Sequence, residues 1–343
     1  MARRRNGARR HVRLRKIVRE VEMTQKSYAE AMLEGLLFAM EEDQRINLVG
    51  SHLFGLGPQR QLSAQLREKF GERIIDPPIS ESAAVALGIG AAMAGDRPVI
   101  DIGTASFVFE AWSQLVNEAG PAHYMTGGQV SVPVVFHMLH GLRGGSAAQH
   151  GASPQAMLWN APGLEIVLPA SARDVKGLIR SALKSDNPTV IVGHAKLLGL
   201  EEEVPDEDYT IPFGVADIKR EGRDLTMVAT SLMVSRALEA AEQLAKSGIE
   251  AEVVDPRTLV PLDKAAILGS VAKTGRLVVI DEANVSCGVA SEIAALVAAE
   301  GFADLKAPIT RVCRPDVPVP FSPPLEERLT VTVERIVEAV NAG

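Results

Sequence analysis

Glu81 is the residue of this chain whose surroundings are most suggestive of chemistry. It directly precedes segment 82–95, which is made almost wholly of small and apolar residues. Small residues recur every four positions along this segment, at Ala84, Gly88 and Ala92. This spacing predicts a helix with one flat face that lets another backbone approach closely. A carboxylate at its start is expected to lie in a tight, dry interface, where its pKa rises and it can take part in proton transfer. The alternative is a first-turn carboxylate that complements the helix dipole, with Ser80 as the N-cap.

A second candidate region is the glycine-rich loop 140–153, which follows an apolar strand pattern at 132–139. Loops after the strands of an open α/β sheet are where ligands bind, and glycines let a ligand approach the backbone. His150 ends this loop and is a candidate active-site residue, although a lone loop histidine also fits a solvated or structural role. A metal triad with His137 and His140 is disfavoured, because those two side chains point to opposite faces of the predicted strand.

Several other chemistries lack their motifs. The sequence has no GxGxxG fingerprint after the first strand, no GxxxxGK[ST] and no GxSxG around Ser106 or Ser153. Cys287 is expected to be a small buried residue before a helix.

Composition and charge argue against several kinds of binding partner and indicate a cellular compartment. The 343 residues are 46% hydrophobic but only 4% aromatic, and the net charge is −7, which argues against nucleic-acid and anionic-lipid partners. The two cysteines, Cys287 and Cys313, indicate a reducing compartment rather than a disulfide framework. No apolar run reaches the roughly 18–20 residues of a membrane span. We therefore expect a cytoplasmic bacterial protein, with an organellar matrix as the alternative.

Residues 1–22 form a basic N-terminal extension with no acidic residue before Glu20. We expect it to be disordered. Three interpretations stay open: a disordered arm, a transit peptide, or an overextended start with Met23 as the natural one. The absence of serine disfavours the transit peptide.

From Ser27 onward, helical and strand patterns alternate, which predicts parallel sheets covered on both faces and an α/β fold of two doubly wound domains. The acidic, proline-containing segment 200–214 lacks the hydrophobic periodicity of a helix or a strand, and we interpret it as the linker between the two domains. The predicted domains are therefore 23–199 and 215–343.

From about Met23 to its end, the chain resembles the beta subunit of the thiamine-diphosphate-dependent first component of 2-oxoacid dehydrogenase complexes. Pyruvate, branched-chain and acetoin dehydrogenases are the usual members, and several stretches carry the resemblance in order and spacing: 68–82, 162–192, 253–263, 273–283 and 314–327. The resemblance implies a pyrimidine-binding domain followed by a transketolase C-terminal-type domain. It also implies an α2β2 tetramer whose alpha subunit holds Mg²⁺ and the diphosphate through a GDG…N motif. Here only Gly95-Asp96-Arg97 is present, so this chain should not complete the cofactor site alone.

The resemblance also assigns roles to residues. Glu81 matches the glutamate that bonds the aminopyrimidine of thiamine diphosphate, Phe107 an aromatic residue packed on that ring, and Gly103 a ring-contacting position. His150 matches the active-site histidine. Backbone carbonyls that hold a structural K⁺ in some relatives correspond to Val134, Ala182, Ser185 and Asn187, with Ser185 in place of an acid.

The implied activity is decarboxylation of a 2-oxoacid, or cleavage of acetoin, with transfer of the acyl group to a lipoyl carrier on an acyltransferase core. Glu81, bonded to the pyrimidine, would favour the tautomer that accepts the cofactor's proton, and His150 would bond the developing oxyanion. A beta–beta contact is expected on helix 82–95.

The chain departs from the family at Ser51-His52, where relatives have an acidic pair, at Gly151-Ala152, where they have Ser-Gln, and at Asp281. The changes at Ser51 and Gly151-Ala152 leave open the alternative of a non-catalytic paralogue. Half of a split transketolase-like enzyme is a further alternative, because a partner with a GDG…N motif fits that enzyme as well.

Overall fold

The computed structural model describes residues 22–50 and 60–342. The basic extension before Glu22 and the departure at Ser51-His52 lie outside these residues. No helix within the described ranges is long and apolar enough to cross a membrane.

The described residues alternate strands and helices along the chain. The strands are β1 (Met23–Ser27), β2 (Leu48–Val49), β3 (Ile74–Ile75), β4 (Val99–Thr104), β5 (Val135–His140), β6 (Glu165–Val167), β7 (Thr189–His194), β8 (Glu201–Pro205), β9 (Asp217–Arg220), β10 (Leu225–Ala229), β11 (Ala251–Asp255), β12 (Thr258–Val260), β13 (Leu277–Asn284) and β14 (Thr310–Arg314). The α-helices are α1 (Tyr28–Glu42), α2 (Arg60–Phe70), α3 (Glu81–Met93), α4 (Ala122–Met125), α5 (Ala147–His150), α6 (Gln155–Trp159), α7 (Ala172–Ala182), α8 (Leu232–Ala245), α9 (Lys264–Thr274), α10 (Val289–Glu300), α11 (Pro323–Glu327) and α12 (Val333–Ala342).

The first sheet has seven strands in the order β12-β6-β7-β5-β4-β2-β3, and all but the edge strand β12 run parallel. Every residue of β5 and β7 is buried, as expected for central parallel strands covered by helices on both faces. Helix α1 packs on α7, and Ser27 starts α1 with a capping box that includes Glu30.

The second sheet has the order β14-β13-β10-β11-β9, with only β9 antiparallel. The edge strand β12 of the first sheet comes from the second half of the chain, directly after β11. The two sheets also share their cores: Leu178 and Met227 belong to one hydrophobic cluster, and Ile166 and Val279 to another. The predicted α/β architecture of two doubly wound units is confirmed, and the units are joined by a strand and by common cores.

Segment 200–214 is more ordered than its interpretation as a linker implied. It contains β8, which pairs antiparallel with β1. Further along, the Tyr209 hydroxyl donates to the carbonyl of Arg173 at 2.7 Å, and the Ile211 N–H donates to the carbonyl of Gly177 at 3.1 Å. The pairing with β1, which is distant in the sequence and which no local pattern shows, holds the segment against α7.

The chain forms a 3₁₀ helix at Ala105–Ala111 and a π-helix at Gln114–Ala119 rather than one continuous α-helix. The expectation that the small-residue face of α3 contacts a second subunit needs correction. The small-residue face of α3 packs inside its own chain, because a Cβ added to Gly88 would lie 2.5 Å from Cδ1 of Ile100 on β4. This face therefore does not supply the expected contact with a second subunit.

Candidate active site

The predicted site residues gather where β4 and β5 end. These strands are parallel neighbours, with Gly103 beside Met138 in the register, so their carboxyl ends open at one edge of the sheet. Beyond β4 the chain enters the 3₁₀ helix Ala105–Ala111, which carries Phe107, and beyond β5 it enters the glycine-rich loop that ends in α5. Ligands bind at such an edge in open α/β sheets.

Phe107 and His150 are in direct contact. Their ring centroids lie 5.3 Å apart at an interplanar angle of 73°, an edge-to-face arrangement. Phe107 is half-buried and His150 is exposed. His150 ends the short helix α5 rather than lying in an irregular loop. The structure thus brings together two residues that are 43 positions apart in the numbering of the chain.

Glu81 is the first residue of α3 and is half-buried. Ser80 occupies the N-cap position as expected, but its side chain makes no capping hydrogen bond. Helix α3 contacts the 3₁₀ helix that carries Phe107, so the two residues lie on packed elements. The fully dry surroundings predicted for Glu81 are not complete in the single chain.

Gly103 is the next-to-last residue of β4, directly before this 3₁₀ helix. Its φ is +78°, a conformation that favours glycine, and its N–H donates to Oδ1 of Asp101 at 3.0 Å. A Cβ at this position would meet nothing within 4 Å. The backbone is therefore open to a flat group, which fits a ring-contacting position.

A buried cluster missed by the sequence reasoning lies beside this edge, where β5, β7 and β13 end. His194 Nε2 is 2.7 Å from Oε2 of Glu282, and the rings of His140 and His194 meet edge-to-face with centroids 4.9 Å apart. Gly141, with φ of +94°, has no room for a side chain, because a Cβ there would overlap His194 and Glu282. No sequence motif signals this cluster, since its members come from three separate strands.

The geometry of this cluster argues against a metal, although its ligand atoms lie within 4.8 Å of one another. The N–H of Lys196 donates to Nδ1 of His194 at 3.0 Å, so the ring proton is on Nε2 and is donated to Glu282. A metal would need the same Nε2 as a lone-pair donor. We interpret the cluster as a hydrogen-bonded one.

Protonation in the cluster follows from burial and pairing. Burial, reinforced by His194, lowers the pKa of His140 to about 3, so this ring is neutral. Burial alone would raise the pKa of Glu282, but the hydrogen bond from His194 and nearby positive charge lower it to about 2. Glu282 is therefore the charged member at neutral pH.

Two positions at which the chain departs from the family, Gly151 and Asp281, lie within the described residues. A Cβ at Gly151 would lie 2.9 Å from Oγ of Ser146 and 3.0 Å from Val319, so glycine fits a crowded position. Asp281 is buried, which raises its pKa, and it accepts the N–H of Ala283 at 3.1 Å. Cys287, expected to be buried, is exposed.

The carbonyls expected to hold K⁺ already accept hydrogen bonds within the chain. The pairs are Val134 with the Thr189 N–H (2.9 Å), Ala182 with the Ser185 N–H (3.2 Å), Asn187 with the Thr189 hydroxyl (3.4 Å) and Ser185 with the Arg97 guanidinium. The buried Arg97 also donates to the carbonyl of Leu183 at 2.9 Å. A positive charge of the protein itself thus lies at the Ser185 carbonyl, and the potassium site stays a prediction.

Two transketolase domain families together match most of this chain. The pyrimidine-binding domain of transketolase matches residues 24–200, and the transketolase C-terminal domain matches residues 214–336. A solved structure described as a split gene transketolase, inactive beta4 tetramer, superposes with a TM-score of 0.76 at 25% identity, covering 92% of this chain and 97% of that one. The fold and the site edge therefore define a protein of the transketolase class.

Relatives narrow this class. The acetoin:2,6-dichlorophenolindophenol oxidoreductase subunit beta of Cupriavidus necator is 46% identical over 80% of this chain and 81% of its own length. The mitochondrial pyruvate dehydrogenase E1 component subunit beta of Dictyostelium discoideum is 37% identical over 96% of this chain and 94% of its own length. The chain belongs to the family of beta subunits of thiamine-diphosphate-dependent 2-oxoacid and acetoin dehydrogenases.

Proposed function

We propose that this chain forms half of a thiamine-diphosphate site at the carboxyl edge of β4 and β5 and works with an alpha-type partner. The observation that carries the proposal is the contact of Phe107 with His150 beside the open backbone of Gly103, in a chain of this family. The aromatic face of Phe107 and the open space over Gly103 suit a flat aminopyrimidine ring.

Each residue then has a defined task. Phe107 packs on the ring, Gly103 lets it approach the backbone, and Glu81 holds or gives up a proton at a ring nitrogen. His150 donates a hydrogen bond to the oxygen of the substrate that gains negative charge. Thiamine diphosphate, when bound, supplies the carbon nucleophile for a 2-oxoacid or for acetoin.

A partner subunit is proposed because the site is open and incomplete. Glu81 and Phe107 are half-buried and His150 is exposed, so another surface must exclude water from them. At Gly95-Asp96-Arg97, the Arg97 side chain is buried and bonds backbone carbonyls instead of facing a phosphate. We propose that the partner supplies Mg²⁺ and the diphosphate pocket, and that a lipoyl carrier on an acyltransferase core receives the acyl group.

Binding of the cofactor tests this division of labour. Calorimetry of the purified chain with Mg²⁺ and thiamine diphosphate should show no micromolar binding, and the complex with an alpha-type partner should show it. Micromolar binding by this chain alone would contradict a shared site.

Acetoin is one candidate substrate, because the relative at 46% identity is named for it. A split transketolase-like activity is the second candidate, because such a protein shares the fold at 25% identity. Turnover of acetoin, pyruvate and a ketose phosphate by the reconstituted complex separates the candidates. A complex that binds the cofactor but turns over none of the three would favour the non-catalytic alternative.

A bacterial cytoplasm is the proposed compartment, with an organellar matrix as the alternative. The Cupriavidus relative is bacterial and the Dictyostelium relative is mitochondrial, so both settings occur in the family. Immunodetection in fractions of the source cells would decide between the two.

A further inference from the structure

The carboxylate of Glu326 on α11 binds the backbone of the glycine-rich loop. The N–H of Gly144 donates to Oε1 at 2.6 Å, and the N–H groups of Gly145 and Ser146 donate to Oε2 at 2.8 Å each. The Ser146 hydroxyl donates to Oε2 as well, at 2.9 Å. Glu326 is 2% exposed, and its two bonds with Ser146 are buried while those with Gly144 and Gly145 are part-buried. Hydrogen bonds to an ionised carboxylate of this kind are stronger than bonds between neutral groups.

The same loop has two more attachments to the second half of the chain. Nη1 of Arg314 donates to the carbonyl of Gly151 at 3.0 Å. The N–H of Leu142 donates to Oε2 of Glu282 at 3.3 Å. A loop that belongs to the first sheet is therefore held at its start, middle and end by side chains of the second domain.

The middle attachment ends directly before α5. Ser146, the last residue bonded to Glu326, is followed by Ala147, whose φ of +57° is uncommon for a residue with a side chain. Such a backbone persists only where the surroundings impose it. His150 follows three residues later and contacts Phe107. Ser146 is the N-cap of α5, so its position sets where the helix that ends in His150 begins.

We propose that Glu326 is a positioning residue that places His150 in the active site by fixing residues 144–146. The proposal rests on the proposed function, since it takes His150 to act in turnover. A carboxylate is required because all four converging groups are donors and an ionised carboxylate only accepts. Glutamine would direct an NH₂ group at one of them.

The reconstituted complex with its alpha-type partner provides the test. Glu326→Gln should lower kcat by about 10- to 100-fold, the scale expected when a catalytic group is displaced by about 1 Å. Amide hydrogen exchange in 141–150 should become faster. Glu327→Gln is the matched control, because Glu327 is the exposed neighbour on the same helix and its loss removes the same charge. It should change neither quantity.

Combination with His150→Ala separates positioning from general stability. If Glu326 acts through His150, Glu326→Gln should cost little further activity in the His150→Ala background. An equal loss in both backgrounds would overturn the proposal and leave the role of His150 standing. Full activity of His150→Ala alone would overturn that role and the proposal with it. If Glu326→Gln fails to assemble, Glu326→Asp keeps the charge but shortens the reach, and its non-additivity with His150→Ala decides in the same way.

Discussion

Glu81 and Glu282 show how the surroundings of a carboxylate determine what it can do. Glu282 is almost fully buried and accepts a hydrogen bond from His194, and its pKa lies far below neutral pH, so it is ionised. Such a group can hold a structure together but cannot exchange protons near pH 7. Glu81 is half-buried at the start of α3, and we propose that it faces a partner subunit and a ring nitrogen of the cofactor. Only the second environment suits an acid–base group.

At Glu81, removal of the titrating group should affect turnover far more than stability. In Glu81→Gln the side chain still forms hydrogen bonds but cannot share a proton, so kcat of the complex should fall by about 10²–10⁴. The melting temperature should stay close to that of the parent. Glu118→Gln, which changes an exposed acid, is the control. If Glu81 only complements the helix dipole, the result would be a stability loss of about 1 kcal/mol or less with normal turnover.

At the scale of elements, helix α3 has two apolar faces with different partners. The face that contains Gly88 is packed on β4 of its own chain. The opposite face carries Ala83, Leu87, Gly90 and Ala94, which are exposed in the single chain. Leu87 is 50% exposed, and a Cβ at Gly90 would meet nothing within 4 Å. We propose that the expected beta–beta contact uses this exposed face.

Substitutions on the two faces of α3 should therefore differ in kind. Gly88→Leu should overpack the contact with Ile100 and destabilise the chain by roughly 1–3 kcal/mol or more, measured by urea unfolding. Gly90→Leu should leave unfolding of the chain nearly unchanged but weaken self-association, measured by sedimentation. Equal association of Gly90→Leu and the parent would show that this face is not an interface.

At the scale of the whole molecule, a largely buried ionic network joins the two domains. Asp174 on α7 binds Lys219 on β9 at 2.7 Å and Nε of Arg257 at 2.8 Å. Asp217 binds the same two cations at 2.8 Å each. Asp255, fully buried on β11, lies 3.7 Å from Lys219 and accepts the N–H of Arg257 at 2.9 Å. Three carboxylates thus share two cations.

This imbalance makes stability depend on pH. Burial and the neighbouring Asp174 raise the pKa of Asp255 from its usual 3.8 to about 7, in spite of Lys219 and Arg257. Between about pH 4 and 7 the folded chain holds a proton that the unfolded chain has lost, so the free energy of unfolding falls as pH rises through this range.

Asp255→Asn should remove that dependence. Asparagine keeps the acceptor for the N–H of Arg257 and stays neutral at every pH. The free energy of unfolding of the variant, relative to that of the parent, should therefore rise by a few kcal/mol between pH 4 and pH 8. Urea unfolding of both proteins across this range measures the difference. A parent whose stability is flat from pH 4 to 7 would show that Asp255 is ionised throughout.

Local patterns were sufficient for the two doubly wound units, and they selected Glu81 and His150 as candidate site residues. The alternation of apolar strands and amphipathic helices predicted both doubly wound units, because the hydrophobic period depends only on neighbouring residues. Glu81 and His150 stood out because each begins or ends a segment of unusual composition.

Tertiary structure decided which faces and which distant residues meet. The flat face of α3 was visible in the sequence, but only the position of Ile100 showed that the chain itself covers it. Strand β8 and the cluster of His194 with Glu282 join residues far apart in the chain, and no periodicity encodes such pairs. The anchoring of the His150 loop by Glu326 has the same origin, since a hydrogen bond across 180 residues exists only once both domains have folded and packed together.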